Sequence, residues 1–402
     1  MIRFGPSGIP LSCKGRTLRD GLEDVHNLGL SALEVQLVRV NTMERPATDE
    51  EEGRKVREVE GELVVECRRR GQESWRTGLD TVIEAGDSLV SLTSGVAKDY
   101  AELGALGTLA RDLDIEVTLH APYYMDLADA DHLAARSLDS IRWGGLLAEA
   151  LQARVVSTHL GLYGELAPAE ALRRVAANLR TVRDWYKALK LHPLLGIESS
   201  GQQEVIGSLE ELLELAKQVK GIVPVLNFAH AHARSNGSLR QLEDFRAIME
   251  AIAKLTPDGR LHTHFSGVEH EGGNEVRYTP IKKGDLRFEP LAEALLEDPR
   301  EITLVSSSPL LEHDAMYMKV IFERILAKKL GRTLRPESGE ERPPAPARPP
   351  EILPPKPPKP AAKAKPKPRP KPKAKPKPRG KARKKAKGRA RPKKATKKGK
   401  KR

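Results

Sequence analysis

Short apolar, β-branched segments alternate with longer amphipathic segments along most of this chain. The predicted strands are Ile2–Gly5, Ala32–Val38, Glu116–His120, Arg154–His159, Leu194–Glu198, Ile222–Ala229, Leu261–Phe265 and Ile302–Val305. Helices are predicted between most of them, for example Leu18–Leu28, Leu133–Leu151, Pro168–Leu189, Leu209–Val219, Leu239–Leu255 and Leu311–Leu326. Eight strands that each precede a helix predict a (β/α)8 TIM barrel over residues 1–332. The alternative is a doubly wound sheet, which usually has fewer strands.

Histidine and glutamate side chains stand at or just past the ends of the predicted strands. They are His120, His159, Glu198, His230, His232, His262 and His264. Residues this far apart in sequence cannot form a local metal-binding finger. They converge only if their strands run parallel, because the parallel strands of a barrel share one end. Imidazole nitrogens with carboxylates are typical of zinc, with manganese or iron as alternatives, so a metal centre is predicted at the barrel mouth.

The His-x-His pair in the seventh predicted strand has a further consequence. Residues i and i+2 of a strand face the same side. We therefore expect His262 and His264 both to point into the barrel, at different depths. One of them is expected to bind metal, and the other to support it or to contact substrate.

A long insert interrupts the alternation of strands and helices. Residues 39–99 separate the second predicted strand from the helix before the third, and the insert is acidic where Asp49 to Glu52 follow one another. An ordinary connection is far shorter. Strand-to-helix loops of a barrel lie on its catalytic face. The insert is therefore either a lid that contacts substrate or a surface excursion without a role in the site.

Positive charge is concentrated in the C-terminal segment. The chain carries a net charge of +14, yet Ile352 to Arg402 contain 25 Lys and Arg and no Asp or Glu. The other 351 residues therefore have 44 basic and 55 acidic side chains, a net charge of −11. Proline at nearly every second position of 343–378 prevents helix and sheet. Residues 333–402 are predicted to be a disordered tail rich in Pro, Lys, Arg and Ala.

The basic part of this tail, Lys356 to Arg402, is expected to bind DNA or RNA without sequence preference. Lysine and arginine neutralise phosphates and release counterions, whereas a segment that lacks aromatic residues has no means of reading bases. The alternatives are a solubilising tail and a tail that binds any polyanion.

Cysteine content and hydropathy indicate an intracellular protein. Cys13 and Cys67 are too few for a disulfide framework, and neither belongs to a CxxC pair. No apolar run reaches the roughly 20 residues of a membrane span, and the N-terminus lacks the apolar core of a signal peptide. We expect a cytoplasmic protein, associated with the nucleoid if the source is a prokaryote.

Five motifs carry a family resemblance, and they occur in the order HAPYYMDLAD, STHLGLYG, GIESSGQ, NFAHAHARSNG and LHTHFSG. This series resembles the endonuclease IV family of apurinic/apyrimidinic endonucleases, above all its shorter archaeal-type branch within the xylose-isomerase-like barrels. GPSGIPLSCKGR and LEVQLVR also look like that branch. The resemblance covers about residues 1–330 apart from the insert. It implies a three-metal cluster that cleaves DNA on the 5′ side of an abasic site.

The resemblance also implies a ligand set. The first metal would be held by His120, His159 and a bridging Glu198, all of which are present. The second metal would share Glu198 and use an aspartate, a histidine and a glutamate. The last two of these, at the ends of the seventh and eighth strands, read His262 and Ser307 in this chain.

The remaining family positions depart further. Asn227 stands where the second metal has its aspartate. The third metal would use His230 and an Asp-x-His pair, which aligns with Val276 and Tyr278, although Glu275 is adjacent and offers a substitute. Asparagine brings no charge and neutral serine is a poor zinc ligand. We therefore predict one to two zinc ions per chain rather than three, with Mn²⁺ as an alternative metal.

These observations favour a zinc-dependent DNA phosphodiester hydrolase that acts at abasic sites in base excision repair. Glu198 is the predicted catalytic residue, because a bridging carboxylate would position the attacking hydroxide. Lys14, Arg16 and Arg234 are candidate phosphate contacts, or else solvated loop charges. One alternative is a catalytically altered DNA-binding barrel that keeps one metal. The other is a sugar isomerase or epimerase, which needs the carboxylates lost at Asn227 and Ser307.

Overall fold

The computed structural model describes residues 1–38, 40–71 and 76–333. Its strands are β1 (Ile2–Pro6), β2 (Ala32–Gln36), β3 (Asn41–Pro46), β4 (Leu63–Arg68), β5 (Ser88–Thr93), β6 (Glu116–His120), β7 (Val155–Thr158), β8 (Leu194–Glu198), β9 (Ile222–Asn227), β10 (Leu261–Phe265), β11 (Gly267–Glu271), β12 (Asn274–Thr279) and β13 (Ile302–Ser306). Its α-helices are α1 (Leu18–Asn27), α2 (Tyr100–Asp112), α3 (His132–Leu151), α4 (Pro168–Ala188), α5 (Leu209–Gln218), α6 (Phe228–Arg234), α7 (Leu242–Ala253), α8 (Phe288–Glu297) and α9 (Glu312–Thr333).

Eight parallel strands form the barrel, in the order β1-β13-β10-β9-β8-β7-β6-β2. Every neighbouring pair in that order is parallel. The two end strands meet through a single parallel bridge between Ser7 and Glu34, so the sheet is nearly closed. This arrangement confirms the predicted (β/α)8 barrel and excludes the doubly wound sheet. It also brings the carboxyl ends of all eight strands to one mouth.

The hydrophobic core lies between the outer face of the sheet and the surrounding helices. Phe265 on β10 packs edge-on against Phe288 on α8, with ring centroids 5.2 Å apart, and Phe4 on β1 packs against Phe288 at 6.5 Å. Helix α1 begins at a capping box. The Thr17 hydroxyl accepts a hydrogen bond from the Asp20 amide, and the Asp20 carboxylate accepts one from the Thr17 amide. Within the described residues, no helix combines the length and apolarity needed to span a membrane.

The insert folds into a three-stranded antiparallel sheet in the order β3-β5-β4. One ion pair within the insert involves the buried Asp87, whose two carboxylate oxygens accept hydrogen bonds from Arg69 at 2.7 and 2.8 Å. This guanidinium lowers the pKa of Asp87 to about 2. The Tyr100 hydroxyl at the start of α2 donates to the Val64 carbonyl at 2.8 Å, which joins the insert to the barrel. The described residues of the insert, 40–71 and 76–99, thus form a sheet that packs against the barrel.

One predicted strand ends earlier than expected. The sequence predicted β-structure as far as Ala229, but β9 ends at Asn227 and α6 follows at once. The cause is a helix cap, since the Asn227 side chain accepts hydrogen bonds from the amides of Ala229 and His230. His230 and His232 therefore lie on a short helix rather than at a strand end. The predicted disordered tail, 333–402, lies outside the described residues from position 334 onward.

Candidate metal centre at the barrel mouth

Three predicted ligands converge at the mouth. His120 is the last residue of β6, His159 follows β7, and Glu198 is the last residue of β8. These strands are neighbours in the sheet, so their ends are adjacent. Each residue offers one ligand atom that lies within 4.8 Å of the other two. The shortest separation is 2.7 Å, between His120 Nε2 and Glu198 Oε2.

The protonation states of Glu198 and His159 suit metal binding. Burial acts to raise the pKa of Glu198, but the imidazoles around it, His264 above all, hold that pKa well below its usual value. Burial lowers the pKa of His159 to about 3. At neutral pH the carboxylate is charged and His159 is neutral, which are the forms that coordinate metal ions. Two nitrogens and a carboxylate oxygen are the donor set of many catalytic zinc centres, which leave a fourth position open. The residues present therefore fit a zinc ion.

His120 is oriented by a backbone group. Its Nδ1 lies 2.6 Å from the Ala121 carbonyl oxygen, so Nδ1–H donates to that oxygen. The other nitrogen, Nε2, is then the atom that can coordinate a metal ion, and it faces Glu198. Histidine ligands of metals are commonly fixed in this way. The orientation of His120 thus agrees with a ligand role.

Asn227 cannot present its oxygen to a metal in this arrangement. Its Oδ1 accepts from two amides of α6, and its Nδ2 donates to Glu198 Oε1 at 3.1 Å and to the Tyr278 hydroxyl at 2.8 Å. The cap fixes which amide atom is oxygen, so the N–H groups must face the carboxylate. Where the family resemblance implied a second metal ligand, this chain has a hydrogen-bond donor to Glu198.

His230, Glu275 and Tyr278 meet beside this group. His230 Nδ1 donates to the Ser199 carbonyl at 2.6 Å, and the Tyr278 hydroxyl donates to His230 Nε2 at 2.6 Å. Glu275 Oε2 lies 3.2 Å from the same Nε2, close to Gly201, where a Cβ atom would lie 2.7 Å from that oxygen. The three side chains are therefore brought together as expected. Tyr278 and His230 form a hydrogen-bonded chain with Asn227 that ends at Glu198, whereas Glu275 Oε2 has no hydrogen-bond partner in the described structure.

On β10, the seventh barrel strand in chain order, the histidine that reaches Glu198 is not the expected one. Both His262 and His264 face inward, but His264 Nδ1 lies 3.3 Å from Glu198 Oε1, whereas His262 Nε2 lies 3.2 Å from Glu34 Oε2. His264 is two residues nearer the carboxyl end of β10, and so nearer the mouth. The placement of His262 beside Glu198, taken from the family alignment, is corrected on this ground.

Glu34 on β2 was not among the predicted site residues, although it is fully buried. The signal in the sequence was a lone carboxylate in the strand ALEVQ, two residues from Gln36. Strand periodicity places both side chains on the inner face of the barrel. Only the curvature of the closed sheet brings Glu34 opposite β10.

Other predicted residues lie elsewhere or are already engaged. His232 Nε2 lies 3.1 Å from Asp285 Oδ1, in a separate group with His270. The Arg234 guanidinium donates to the Gln202 and Val205 carbonyls at 2.5 and 2.7 Å. Its role is therefore to hold a loop, and it is not a free phosphate contact.

The three predicted positions that remain lie in loops. Arg16 is exposed and donates to the Pro10 carbonyl at 3.0 Å, and Lys14 is exposed. Ser307 follows β13 with its backbone amide donating to the Phe265 carbonyl at 3.1 Å. Val276, aligned with the aspartate of the family's third metal, is 60% exposed and faces solvent.

A cavity of about 800 Å³ opens beside the candidate metal centre. His159, His230 and Glu275 line its inner side, while Val40 and Thr42 of the insert region line its rim. Tyr123 and Tyr124 also line it and are 67% and 93% exposed, and the Tyr123 ring lies 4.9 Å from that of His159. The cavity thus places an exposed aromatic surface within reach of a metal ligand.

A family model described as a xylose isomerase-like TIM barrel matches residues 73–305. The chain belongs to the xylose isomerase-like TIM barrel family. An uncharacterized protein of Methanocaldococcus jannaschii is 26% identical to it over 216 residues, which cover 53% of this chain and 78% of that protein. Membership of the family agrees with the barrel topology and with a centre at the carboxyl ends of the strands.

Solved structures of several activities share this fold. Endonuclease IV from Thermus thermophilus superposes with a TM-score of 0.51 at 18% identity, over 80% of this chain and 99% of that one. A D-tagatose 3-epimerase-like protein gives a TM-score of 0.53 at 17% identity, over 82% and 99%. An L-ribulose 3-epimerase gives 0.50 at 16% identity, over 84% and 100%. Such similarities establish the fold and leave the reaction to be argued from the site.

Proposed function

We propose that this member of the family is a metal-dependent DNA phosphodiester hydrolase that acts at abasic sites, as in base excision repair. The observation that carries the proposal is the group of His120, His159 and Glu198, which join at the barrel mouth beside an open cavity. In this family of folds the mouth is where chemistry takes place. The sequence motifs that resemble endonuclease IV supply these same three residues.

The residues of the mouth have distinct roles in this proposal. His120, His159 and Glu198 would hold a zinc or manganese ion, which when bound supplies an activated water and neutralises charge on phosphate oxygens. Asn227 donates to Glu198 and so fixes the carboxylate. Burial raises the pKa of Tyr278 well above its usual value, so its hydroxyl stays protonated and donates a hydrogen bond to His230. These contacts leave His159 as the ligand that faces the cavity.

Two features support DNA as the substrate. Tyr123 and Tyr124 project from the loop after β6 with their rings 5.4 Å apart, and exposed aromatic rings are surfaces on which unpaired bases stack. The C-terminal segment Lys356 to Arg402 supplies positive charge that the acidic remainder of the chain lacks. The first feature would hold a base near the metal centre, and the second would hold the duplex.

A DNA-binding barrel without cleavage is the second candidate, and one observation favours it. The side chains that stand in for the second and third sets of metal ligands are bonded to one another: Asn227 to Tyr278 at 2.8 Å, and Tyr278 to His230 at 2.6 Å. A single metal would then remain.

A sugar epimerase is the third candidate. The cavity is lined by four carboxylates, Asp126, Asp139, Glu204 and Glu275, against one arginine, Arg136. Such a lining suits an uncharged polyol better than a phosphate. Epimerisation would also need a second carboxylate beside the metal, at the position that Ser307 occupies.

A cleavage assay with a matched pair of histidine variants separates these candidates. The substrate is a duplex with one abasic site, offered to the full chain with zinc, with manganese and with chelator. We expect cleavage 5′ of the lesion that chelator abolishes and that His159→Gln reduces about 100-fold or more. His192→Gln is the control, because His192 is exposed and pairs with Glu149 away from the mouth.

Three outcomes decide between the candidates. The absence of cleavage with either metal rules out the hydrolase. Retained, metal-independent binding to the abasic duplex would then favour the non-catalytic barrel. Turnover of a ketohexose by the wild type, lost in His159→Gln, would favour the epimerase.

A further inference from the structure

A second group of ligand atoms lies inside the barrel, one layer below the mouth. His262 Nε2 and His264 Nε2 lie 3.2 and 3.0 Å from Glu34 Oε2, and 3.3 Å from each other. All three residues are at most 3% exposed. Glu34 is level with Thr118 in the sheet register, two residues before His120, and His262 is two residues before His264. The group thus has three ligand atoms of its own, although the other nitrogen of its His264 contacts Glu198 of the mouth group.

We propose that Glu34, His262 and His264 bind a second divalent cation, for which zinc is the best match. Zinc holds nitrogen and carboxylate ligands at about 2.0–2.2 Å in a tetrahedron. The edge of such a tetrahedron is about 3.3–3.6 Å long. The three separations of 3.0, 3.2 and 3.3 Å are close to those of one face of that tetrahedron. The donor atoms are therefore already placed for an ion between them.

Neighbouring groups orient two of the three ligands toward this position. His264 Nδ1 lies 3.3 Å from Glu198 Oε1, so Nδ1–H donates to that carboxylate and Nε2 is left to bind the ion. Glu34 Oε1 accepts from Gln36 Nε2 at 2.8 Å and from the Ser7 hydroxyl at 3.1 Å, which leaves Oε2 facing the histidines. Carboxylate–histidine–metal arrangements with hydrogen-bonded carboxylate ligands are the usual surroundings of a metal ion in a protein.

One buried polar atom in the same layer, the Thr118 hydroxyl, points independently to a missing ligand. Thr118 is 1% exposed and its hydroxyl has no hydrogen-bond partner among the described residues. Its side chain faces the barrel interior, because it lies two residues from His120 on β6. His262 Nδ1 is also buried without a partner in the described structure. Buried polar groups are nearly always satisfied, and water bound to the cation would satisfy the Thr118 hydroxyl, whereas His262 Nδ1 lies on the side of its ring that faces away from the ion.

The negative charge of the buried Glu34 side chain also supports a cation at this position. A fully buried carboxylate needs positive charge beside it. The ion pairs that Glu34 forms in the described structure are with the imidazoles of His262 and His264. A dication between them supplies that charge directly.

The position of this site gives it a structural role and a link to the mouth. Glu34 lies on β2 and the histidines on β10, so an ion would connect strands across the barrel. It would do so beside the Ser7–Glu34 bridge, where the sheet is closed by that contact. His264 contacts both Glu34 and Glu198, so the orientation of its imidazole affects both proposed metal sites. Loss of the inner ion should weaken zinc binding at the mouth about 10–100-fold, as for other supporting contacts of ligands.

The test counts zinc in the full chain and does not depend on activity. The metal-free protein is titrated with zinc, and the bound ions are counted by native mass spectrometry at saturation. We expect Glu34→Gln and His262→Gln each to bind one zinc fewer than wild type, His159→Gln to bind one fewer, and His159→Gln/His262→Gln to bind two fewer. A wild-type count in both Glu34→Gln and His262→Gln overturns the inner site.

A second measurement avoids variants that fail to fold. Crystals of the zinc-loaded wild type are measured on both sides of the zinc absorption edge. We expect an anomalous peak about 2.0–2.2 Å from Glu34 Oε2, His262 Nε2 and His264 Nε2. A peak at the mouth with none among these three atoms rejects the inner site and leaves the mouth centre standing. An inner peak in a protein that cleaves no DNA would support the inner site while the proposed function fails.

Discussion

Restoring a carboxylate at position 227 should make the stability of this protein depend on metal. Asn227 Nδ2 lies 3.1 Å from Glu198 Oε1, and both side chains are at most 2% exposed. The substitution Asn227→Asp places a carboxylate oxygen at that distance. Two negative charges so placed repel by about 5 kcal/mol at an effective dielectric constant of 20. Protonation of one carboxyl limits the cost to about 4 kcal/mol at pH 7, because an ordinary aspartate has a pKa of about 3.9.

Urea unfolding of the full chain measures this effect. In chelator we expect Asn227→Asp to lose about 4 kcal/mol of unfolding free energy relative to wild type. In zinc the difference should shrink, and the variant should bind one zinc more than wild type, because two carboxylates now share a dication. The control is Asn178→Asp, whose Nδ2 donates to the Leu127 carbonyl at 2.9 Å. It should lose about 1–3 kcal/mol equally in both media.

Equal stability of Asn227→Asp and wild type in chelator would refute the reasoning. A loss that zinc leaves unchanged would show instead that the hydrogen bonds donated by Asn227 Nδ2 to Glu198 and Tyr278, and not charge at the centre, control stability.

Three further predictions concern packing, pH and the tail. Gly145→Ala should lower the unfolding free energy by about 1–3 kcal/mol, because the added Cβ would lie 2.6 Å from the Tyr186 ring. Its control is Gly104→Ala, where the added Cβ would lie 4.0 Å from its nearest neighbour, the Ala150 carbonyl oxygen. This variant should raise the melting temperature slightly. Asp87→Asn should be less stable than wild type by about 2–3 kcal/mol at pH 7. Since the pKa of Asp87 is depressed to about 2, its contribution is complete above pH 4, and the gap should close as the pH falls to 2 in acid titrations followed by circular dichroism. Deletion of 343–402 should weaken duplex binding and flatten its salt dependence at constant zinc content, and an unchanged salt slope in filter binding would exclude the tethering role.

The barrel could be predicted because its strands are marked locally. Each buried parallel strand is a short β-branched run, and the amphipathic segments between them define the helices. One of the strands that end earlier than predicted is β9, whose end depends on a side chain. Asn227 caps α6, but the sequence alone is equally consistent with an asparagine that lies within the strand.

The mouth centre was predictable for a related reason. His120, His159 and Glu198 close three consecutive strands, and consecutive parallel strands are neighbours whose ends meet. Their convergence therefore needed no knowledge of side-chain packing. Arg234 shows the limit of such reasoning, because its position near the mouth was expected, but the carbonyls that hold its guanidinium became visible only in three dimensions.

Sequence by itself thus determined the parallel barrel, the edge at which its ligands gather and the segregation of positive charge into the C-terminal tail. Periodicity and composition are local properties, and they are sufficient for these conclusions. Tertiary structure alone decided that His264, and not His262, reaches Glu198, and that Glu34 meets both histidines from the opposite side of the barrel. These contacts depend on strand register and on curvature of the closed sheet, which join residues more than 200 positions apart.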